Sequence, residues 1–230
     1  MTRENFDREI AQIQDQVMLM GNMVNEAVTQ SVEALRQHDR KSARKIQADD
    51  QLINEKRYEI ESNTLILIAT QQPMARDLRL LAAILEIITE LERIGDYGKG
   101  IARIVTLIES KDLDMPKSEF KQMAKLGLEM LQKALQAFLA RDVEAARAIP
   151  ALDDNVDDLY NRVYRKLIKQ MMANPALIDD LNRLMWAAHN LERLADRVTN
   201  ICERIVFVAT GEIKELDHSN NSLQGDERKG

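Results

Sequence analysis

Leu91-Glu92-Arg93-Ile94-Gly95-Asp96 and Leu191-Glu192-Arg193-Leu194-Ala195-Asp196 are one short stretch written twice at an offset of 100 residues. A motif that recurs in register, inside long segments with helical periodicity, is the signature of an internal duplication. Each copy places a Glu and an Asp four residues apart, hence on one face of a helix. Like charges at that spacing repel unless solvent, a cation or a basic partner offsets them.

Outward from these motifs the apolar residues keep helical steps almost throughout. Phe6, Ile10, Ile13, Val17, Met20, Val24, Val28, Ser31 and Leu35 advance by fours and threes and wind one seam along a first helix. Asp39 is placed to cap a second, carrying Ile46, Ile53, Ile60 and the run Leu65 to Ile68, which Gln71-Gln72-Pro73 ends. A third follows from about Ala75 with Leu81, Ile84, Ile88, Leu91, Ile94, Ile101, Val105 and Ile108.

The pattern restarts after Lys111 to Ser118, a linker containing Pro116. Helices are expected from about Glu119 to Ala140, from Asp142 to about Met172 with a kink at Pro150, and from about Leu177 to Thr210. The fold class is therefore all-α: two tandem, pseudo-symmetric three-helix bundles, residues 1–112 and 117–211. Residues 212–230 hold few apolar side chains and are expected to be a disordered tail.

The duplication extends to the middle helix of each half. Asp39 and Asp50 correspond to Asp142 and Asp153 at an offset of 103, so the loop after the middle helix is expected to be three residues shorter in the second half. Asp50/Asn54 and Asp153/Asp157 form a second oxygen-bearing pair in each half. If middle and last helices are antiparallel, Asp50, Asn54, Glu92 and Asp96 face one another, as do Asp153, Asp157, Glu192 and Asp196.

Two readings of these quartets stand side by side. Arg79, Arg93, Lys99, Arg103, Arg183, Arg193 and Arg197 crowd the same helices and offer ordinary helical ion pairs. Alternatively, hard oxygen donors on rigid helices suit magnesium, manganese or iron, and suit zinc less well. Asn54 lowers the charge of the first quartet, and Asn200 and Glu203 have no oxygen-bearing counterparts at Gly100 and Arg103, so the second is expected to bind cations more tightly. His189 is the one nearby imidazole and reads as a helix flank; no Glu-x-x-His pair of the di-iron oxidase kind is present.

The net charge of −6 with evenly mixed signs excludes generic nucleic-acid binding. No uncharged apolar run reaches the length of a membrane span, so a cytoplasmic location is expected. The single cysteine, Cys202, reads as a core residue and excludes an intrachain disulfide. No nucleophile with a base is evident, so no enzyme activity and no organic cofactor are expected.

Gln71-Gln72-Pro73, Asp77-Leu78-Arg79, the two Leu-Glu-Arg motifs and Asn200-Ile201-Cys202-Glu203 together resemble the PhoU family of phosphate-uptake regulators over about residues 3 to 212. The resemblance implies two three-helix bundles and a cytoplasmic adaptor without catalytic activity. Its partners would be the ATPase subunit of a phosphate ABC transporter and a sensor histidine kinase, so that it is peripheral to the membrane, restrains the starvation response when phosphate is ample and plausibly forms a homodimer. It also implies iron or other metals at Glu92, Asp96, Asp153, Asp157, Glu192 and Asp196, and less directly at Asp50 and Asn54. Arg197 stands where many relatives have His. A metal-dependent phosphate-binding sensor is the alternative reading, since carboxylates bind phosphate only through a cation.

Overall fold

In the computed structural model, which describes residues 3–110, 113–212 and 214–216, the predicted seams become buried helix faces. All of the first helix's seam residues, Ser31 included, are buried in α1 (Arg3–Gln37). Asp39 caps α2 (Arg40–Gln71), its carboxylate accepting from the amides of Lys41 and Ser42. Gln72 in the left-handed region closes that helix, and α3 (Ala75–Leu107) returns beside it. A Cβ on Gly98 would lie 3.4 Å from the backbone of Val28, so this glycine sets how closely α3 approaches α1.

In the second half, α4 (Lys117–Ala140) is followed by a helix in two pieces, α5 (Val143–Ala148) and α6 (Asp153–Ala173). The structure corrects the expected kink at Pro150 to a break. The ring has no N–H to donate and excludes the carbonyl one turn back, so residues 150–152 form a 3-10 turn in which the Leu152 amide reaches Ile149 O at 2.9 Å. Asp153 thereby starts a new helix. Asn174 and a second 3-10 turn, Pro175–Leu177, lead into α7 (Ile178–Thr210).

The expected shortening of the second hairpin loop is also corrected. The connection is residues 72–74 in the first half and 174–177 in the second. The missing residues come from the helix ends, chiefly the start of α7, because Pro175 and its turn delay helical hydrogen bonding. The run Leu65 to Ile68 is not all core either: Leu65 and Ile66 are exposed and only Leu67 is fully packed. A helix with one buried face cannot hide four consecutive residues.

α1, α2 and α3 pack on one another, as do α4, α6 and α7, and one apolar core runs through both groups because α3 lies against α7 and α1 against α4. α3 and α7 are antiparallel over their whole length. Arg79 Nε donates to Val208 O (3.4 Å), Asn200 Nδ2 to Glu90 Oε2 (3.2 Å), and the amides of Glu109 and Ser110 to the Asp180 carboxylate (3.2 and 2.8 Å). Sequence reasoning missed both Glu90 and Asp180, buried acids in otherwise apolar faces. The linker expected at Lys111 to Ser118 falls between α3 and α4, with residues 111 and 112 outside the described set; the expected tail lies outside it beyond 216.

Asp180 ties the end of α3 to the start of α7, so its loss strands two amides and Arg183. Burial pushes its pKa up, but hydrogen bonds from Ser110, Arg183 and Glu109 outweigh that and hold it below the ordinary carboxylate value. Its stabilising contribution is thus present above the ordinary value and is lost as pH falls through the lowered one. Asp180→Ala is expected to cost about 1–3 kcal/mol at neutral pH, and urea unfolding across the acid range checks both the cost and its disappearance at low pH.

Candidate metal centre

α2 and α3 carry the first quartet on facing turns, and the structure shows it already neutralised in part from within. Asp50 is buried, and Lys99 Nζ sits 2.7 Å from its Oδ2 and 3.7 Å from Asp96 Oδ1. Asn54 Nδ2 donates to the same Asp50 oxygen at 3.3 Å. The hydrogen bond to Asp50 raises the Lys99 pKa against the opposing effect of burial, so the ammonium is firmly charged. Glu92 is pushed up by burial and by Asp96, and is eased by Arg57. This cluster is an ion-pair network built around one lysine.

The second quartet has no such ammonium. Thr199 occupies the position of Lys99, and Asp157 that of Asn54. Both differences add net negative charge. Burial, then Asp157, Asp196 and Glu192, push Asp153 up to about 7. Burial, then Asp196 and Asp157, push Glu192 up to about 7 against the pull of Arg193. Asp157 is raised by burial and Asp196, and Asp196 by burial against the pull of Arg193, Arg197 and His189. Asp153 Oδ1 and Glu192 Oε2 are buried without a hydrogen-bond donor.

Asp153, Asp157 and Asp196, but not Glu192, line part of an open cleft of about 430 Å³ with Pro150, Arg197 and Leu216. Asn200 and Glu203, also in its wall, are engaged elsewhere: Asn200 holds Glu90, and Glu203 Oε1 accepts from the Leu216 amide at 3.0 Å. His189 stands with Nδ1 3.2 Å from Glu192 Oε2, outside hydrogen-bond geometry, its ring between Trp186 and Tyr160. Arg197 Nη1 reaches across to Glu90 Oε2 at 3.5 Å, so it bridges the second cluster and the α3/α7 seam.

Among the described residues no group of three or more His, Cys, Asp or Glu side chains is placed to hold a metal ion. The second quartet nonetheless fits the chemistry: all-oxygen donors, two orphaned buried oxygens, both helices fixed by the core, and a counter-charge confined to its edge, where Arg193 Nε lies 3.4 Å from Asp196 Oδ2. The first fits poorly, because Lys99 already occupies the place of a counter-ion. A divalent ion at the second quartet would supply the missing positive charge and a Lewis-acid face toward solvent.

The PhoU domain family's sequence profile matches residues 17–105 and again 120–205, one match in each half. The chain belongs to the PhoU domain family. Among its PhoU relatives, a phosphate-specific transport system accessory protein PhoU homolog from Clostridium acetobutylicum is 30% identical over 218 residues, covering 94% of this chain and 100% of the relative. One from Caulobacter vibrioides is 34% identical over 212 residues, 92% of each chain. The crystal structure of PhoU from Pseudomonas aeruginosa superposes with a TM-score of 0.84 at 30% identity, over 90% of this chain and 100% of that one. A PhoU phosphate transport system regulatory protein from Streptococcus pneumoniae gives the same TM-score at 31% identity. The helical architecture read from the sequence is thus the PhoU architecture.

Among the described residues no helix is long and apolar enough to cross a membrane. Cys202 is buried and its thiol is pushed up to about 12 by burial, then by Glu203, as suits a core residue.

Proposed function

We propose that this protein is an accessory component of a phosphate-specific transport system: a non-catalytic, cytoplasmic adaptor that engages the transporter's ATPase subunit and a sensor histidine kinase and restrains the phosphate-starvation response. The observation that carries this reading is the match, over nearly the whole chain, to relatives named as accessory proteins of that system. The form of the molecule agrees with it. The two hairpin tips, at 72–74 and 174–177, lie at opposite ends because α3 and α7 run antiparallel, so two partners can be held at once. An exposed methionine stands at or beside each tip, Met74 in the first and Met172 at the end of α6 next to the second, a side chain that adapts to varied partner surfaces.

The test is a pull-down from the full chain with both purified partners present. Recovery of each at micromolar concentration is the expected result, and recovery of neither contradicts the reading.

Within this role the second carboxylate cluster binds one divalent cation of the magnesium, manganese or iron class, and the first is held closed by Lys99. Support comes from the charge of Asp153, Asp157, Glu192 and Asp196, offset only in part by Arg193 beside Asp196, and from the two orphaned oxygens. The same charge favours a second reading, in which the bound cation presents a face for phosphate. Titration calorimetry with phosphate, with and without Mn²⁺, distinguishes the two. Heat that appears only with metal supports the sensor; its absence leaves the cation a structural counter-charge.

A further inference from the structure

α3 and α7 cross so that the duplication maps their seam onto itself. Glu90 on α3 meets Asn200 on α7, and at the same offset of 100 Asn190 on α7 lies against Gly100 on α3, where a Cβ would come 2.8 Å from Asn190 Nδ2. The two contacts are counterparts in place but not in chemistry. Glu90 Oε2 accepts from Asn200 Nδ2 at 3.2 Å and faces Arg197 Nη1 at 3.5 Å. At the counterpart positions an amide, Asn190, stands for the acid and Tyr97 stands for the arginine. The charged tie belongs to the side of the second cluster.

An acid at position 90 is costly where it stands. Ile87, Ile88, Leu91 and Ile94 around it on α3 are buried, and Glu90 itself is 9% exposed. Desolvating a carboxylate there costs more than packing an apolar side chain would. Arg93, on the same helix, compensates it little, since it lies 3.9 Å away and is half exposed. The side chain that Glu90 does reach across the seam is Arg197, buried to 15% exposure. Arg197 also stands in the wall of the cleft with Asp153, Asp157 and Asp196. Its Nε is buried without a hydrogen-bond partner, so the guanidinium is not locked in its present direction.

Each half thus brings a cation to its carboxylates and disposes of it differently. Lys99 Nζ lies on Asp50 at 2.7 Å, inside the first cluster. Arg197 is drawn the other way, toward an acid on the opposite bundle. Turned inward, its guanidinium would lie among Asp153, Asp157 and Asp196, where Arg193 is already 3.4 Å from Asp196. It would then do for the second cluster what Lys99 does for the first.

We infer that Glu90 is a positioning residue for the second cluster: from the other bundle it holds Arg197 out of the carboxylates, and so sets how tightly they take a divalent cation. This rests on the cation reading of that cluster and extends it across the seam. The linkage is reciprocal. A bound ion repels the guanidinium toward Glu90 and tightens the contact between the bundles. Conversely, a partner that shifts α3 against α7 loosens or strengthens the hold on Arg197, and the affinity for the ion changes with it.

The experiment is titration calorimetry of the full chain with Mn²⁺ at neutral pH, on the wild type, Glu90→Gln, Arg197→Gln and the double variant, each with helical circular dichroism unchanged. Glu90→Gln keeps the size of the side chain and an oxygen for Asn200. It is expected to bind Mn²⁺ at least about fivefold more weakly, because Arg197 falls back on the carboxylates. Arg197→Gln removes the competing charge and is expected to bind about fivefold more tightly. In that background Glu90→Gln is expected to change the affinity by less than about twofold. A purely structural acid would weaken binding alike in both backgrounds. Glu90→Asp keeps the charge with a shorter reach and is expected to fall between the wild type and Glu90→Gln, so the series does not depend on one variant folding. Equal affinity of the wild type and both position-90 variants, the same weakening in both backgrounds, or weaker binding by Arg197→Gln overturns the inference and leaves the cation reading standing. A wild type that takes up no Mn²⁺ overturns both.

Discussion

Lys99→Thr, which installs the residue found at position 199, is expected to lower the stability of the metal-free protein by about 2–4 kcal/mol. Asp50 is 5% exposed, and Lys99 is the cation that compensates it, at 2.7 Å. Removing one partner of a buried pair leaves the other charge desolvated, which costs more than the pair contributes. The lower part of the range for such losses applies because the lysine side chain is itself 43% exposed. The substitution also removes the internal counter-ion from Asp50 and Asp96. Added Mn²⁺ or Mg²⁺ is therefore expected to restore part of the loss, and Lys99→Thr/Asn54→Asp, which copies the second cluster's donors into the first, to respond more strongly still. Thermal unfolding with and without metal measures both effects. A Lys99→Thr protein as stable as wild type, or one indifferent to metal, contradicts the account of the first cluster.

The second prediction concerns pH. Asp153 and Glu192 have ordinary values of 3.8 and 4.5 and are raised to about 7 in the folded chain. Between about pH 4 and 7 the folded state holds protons that the unfolded state has released. These two groups therefore favour the folded state fully below their ordinary values, and that contribution is lost as pH rises through about 7. Asp153→Asn/Glu192→Gln is expected to be more stable than wild type at pH 8 without metal, by about 1–3 kcal/mol once solvent screening is allowed for, and indistinguishable from it near pH 4.

A cation reverses this ranking. At a concentration about a hundredfold above its dissociation constant it adds about 2.7 kcal/mol to the wild type, a rise of about 5–10 °C in Tm for a chain of this size. The double variant, stripped of two donors, is expected to gain little. Because protons compete for the same oxygens, the rise fades at acid pH. Denaturation scans at pH 8 and pH 5, each with and without Mn²⁺, read all of this. A variant that is less stable than wild type without metal at pH 8 contradicts it.

The helices were legible because their seams are long and unbroken. Each seam residue of α1 is buried, and Asp39 and Asp142 cap the helices they precede. Pro150 and Pro175 were visible as interruptions, but whether a proline bends a helix or ends it depends on whether the next amides find other carbonyls. Here they do so through 3-10 turns. The quartets were legible from the duplication, as was the weaker charge of the first through Asn54.

The inequality between the clusters was only half legible. Lys99 was visible as one of many cations crowding these helices, and nothing in its spacing told that it reaches Asp50 on another helix; comparison with Thr199 at the repeat's offset carries that signal. Glu90 and Asp180 were missed because an acid inside an apolar stripe looks like an irregularity until the helix beside it is known. Their partners lie 110 and 70 or 71 positions away, on or next to the helices they face. Asn200 and Glu203 are oxygen-bearing as expected, yet they hold Glu90 and the backbone of Leu216.

The central claim is that the duplicated halves have diverged into one self-neutralised cluster and one cation site. Elemental analysis by mass spectrometry tests it most directly, on protein purified without chelator or metal-affinity resin, with Glu192→Gln/Asp196→Asn and Glu92→Gln/Asp96→Asn alongside the wild type. About one equivalent of a divalent metal is expected in the wild type, retained when the first-half pair is changed and lost when the second-half pair is changed. Metal-free wild type, or metal lost with the first-half pair instead, contradicts it.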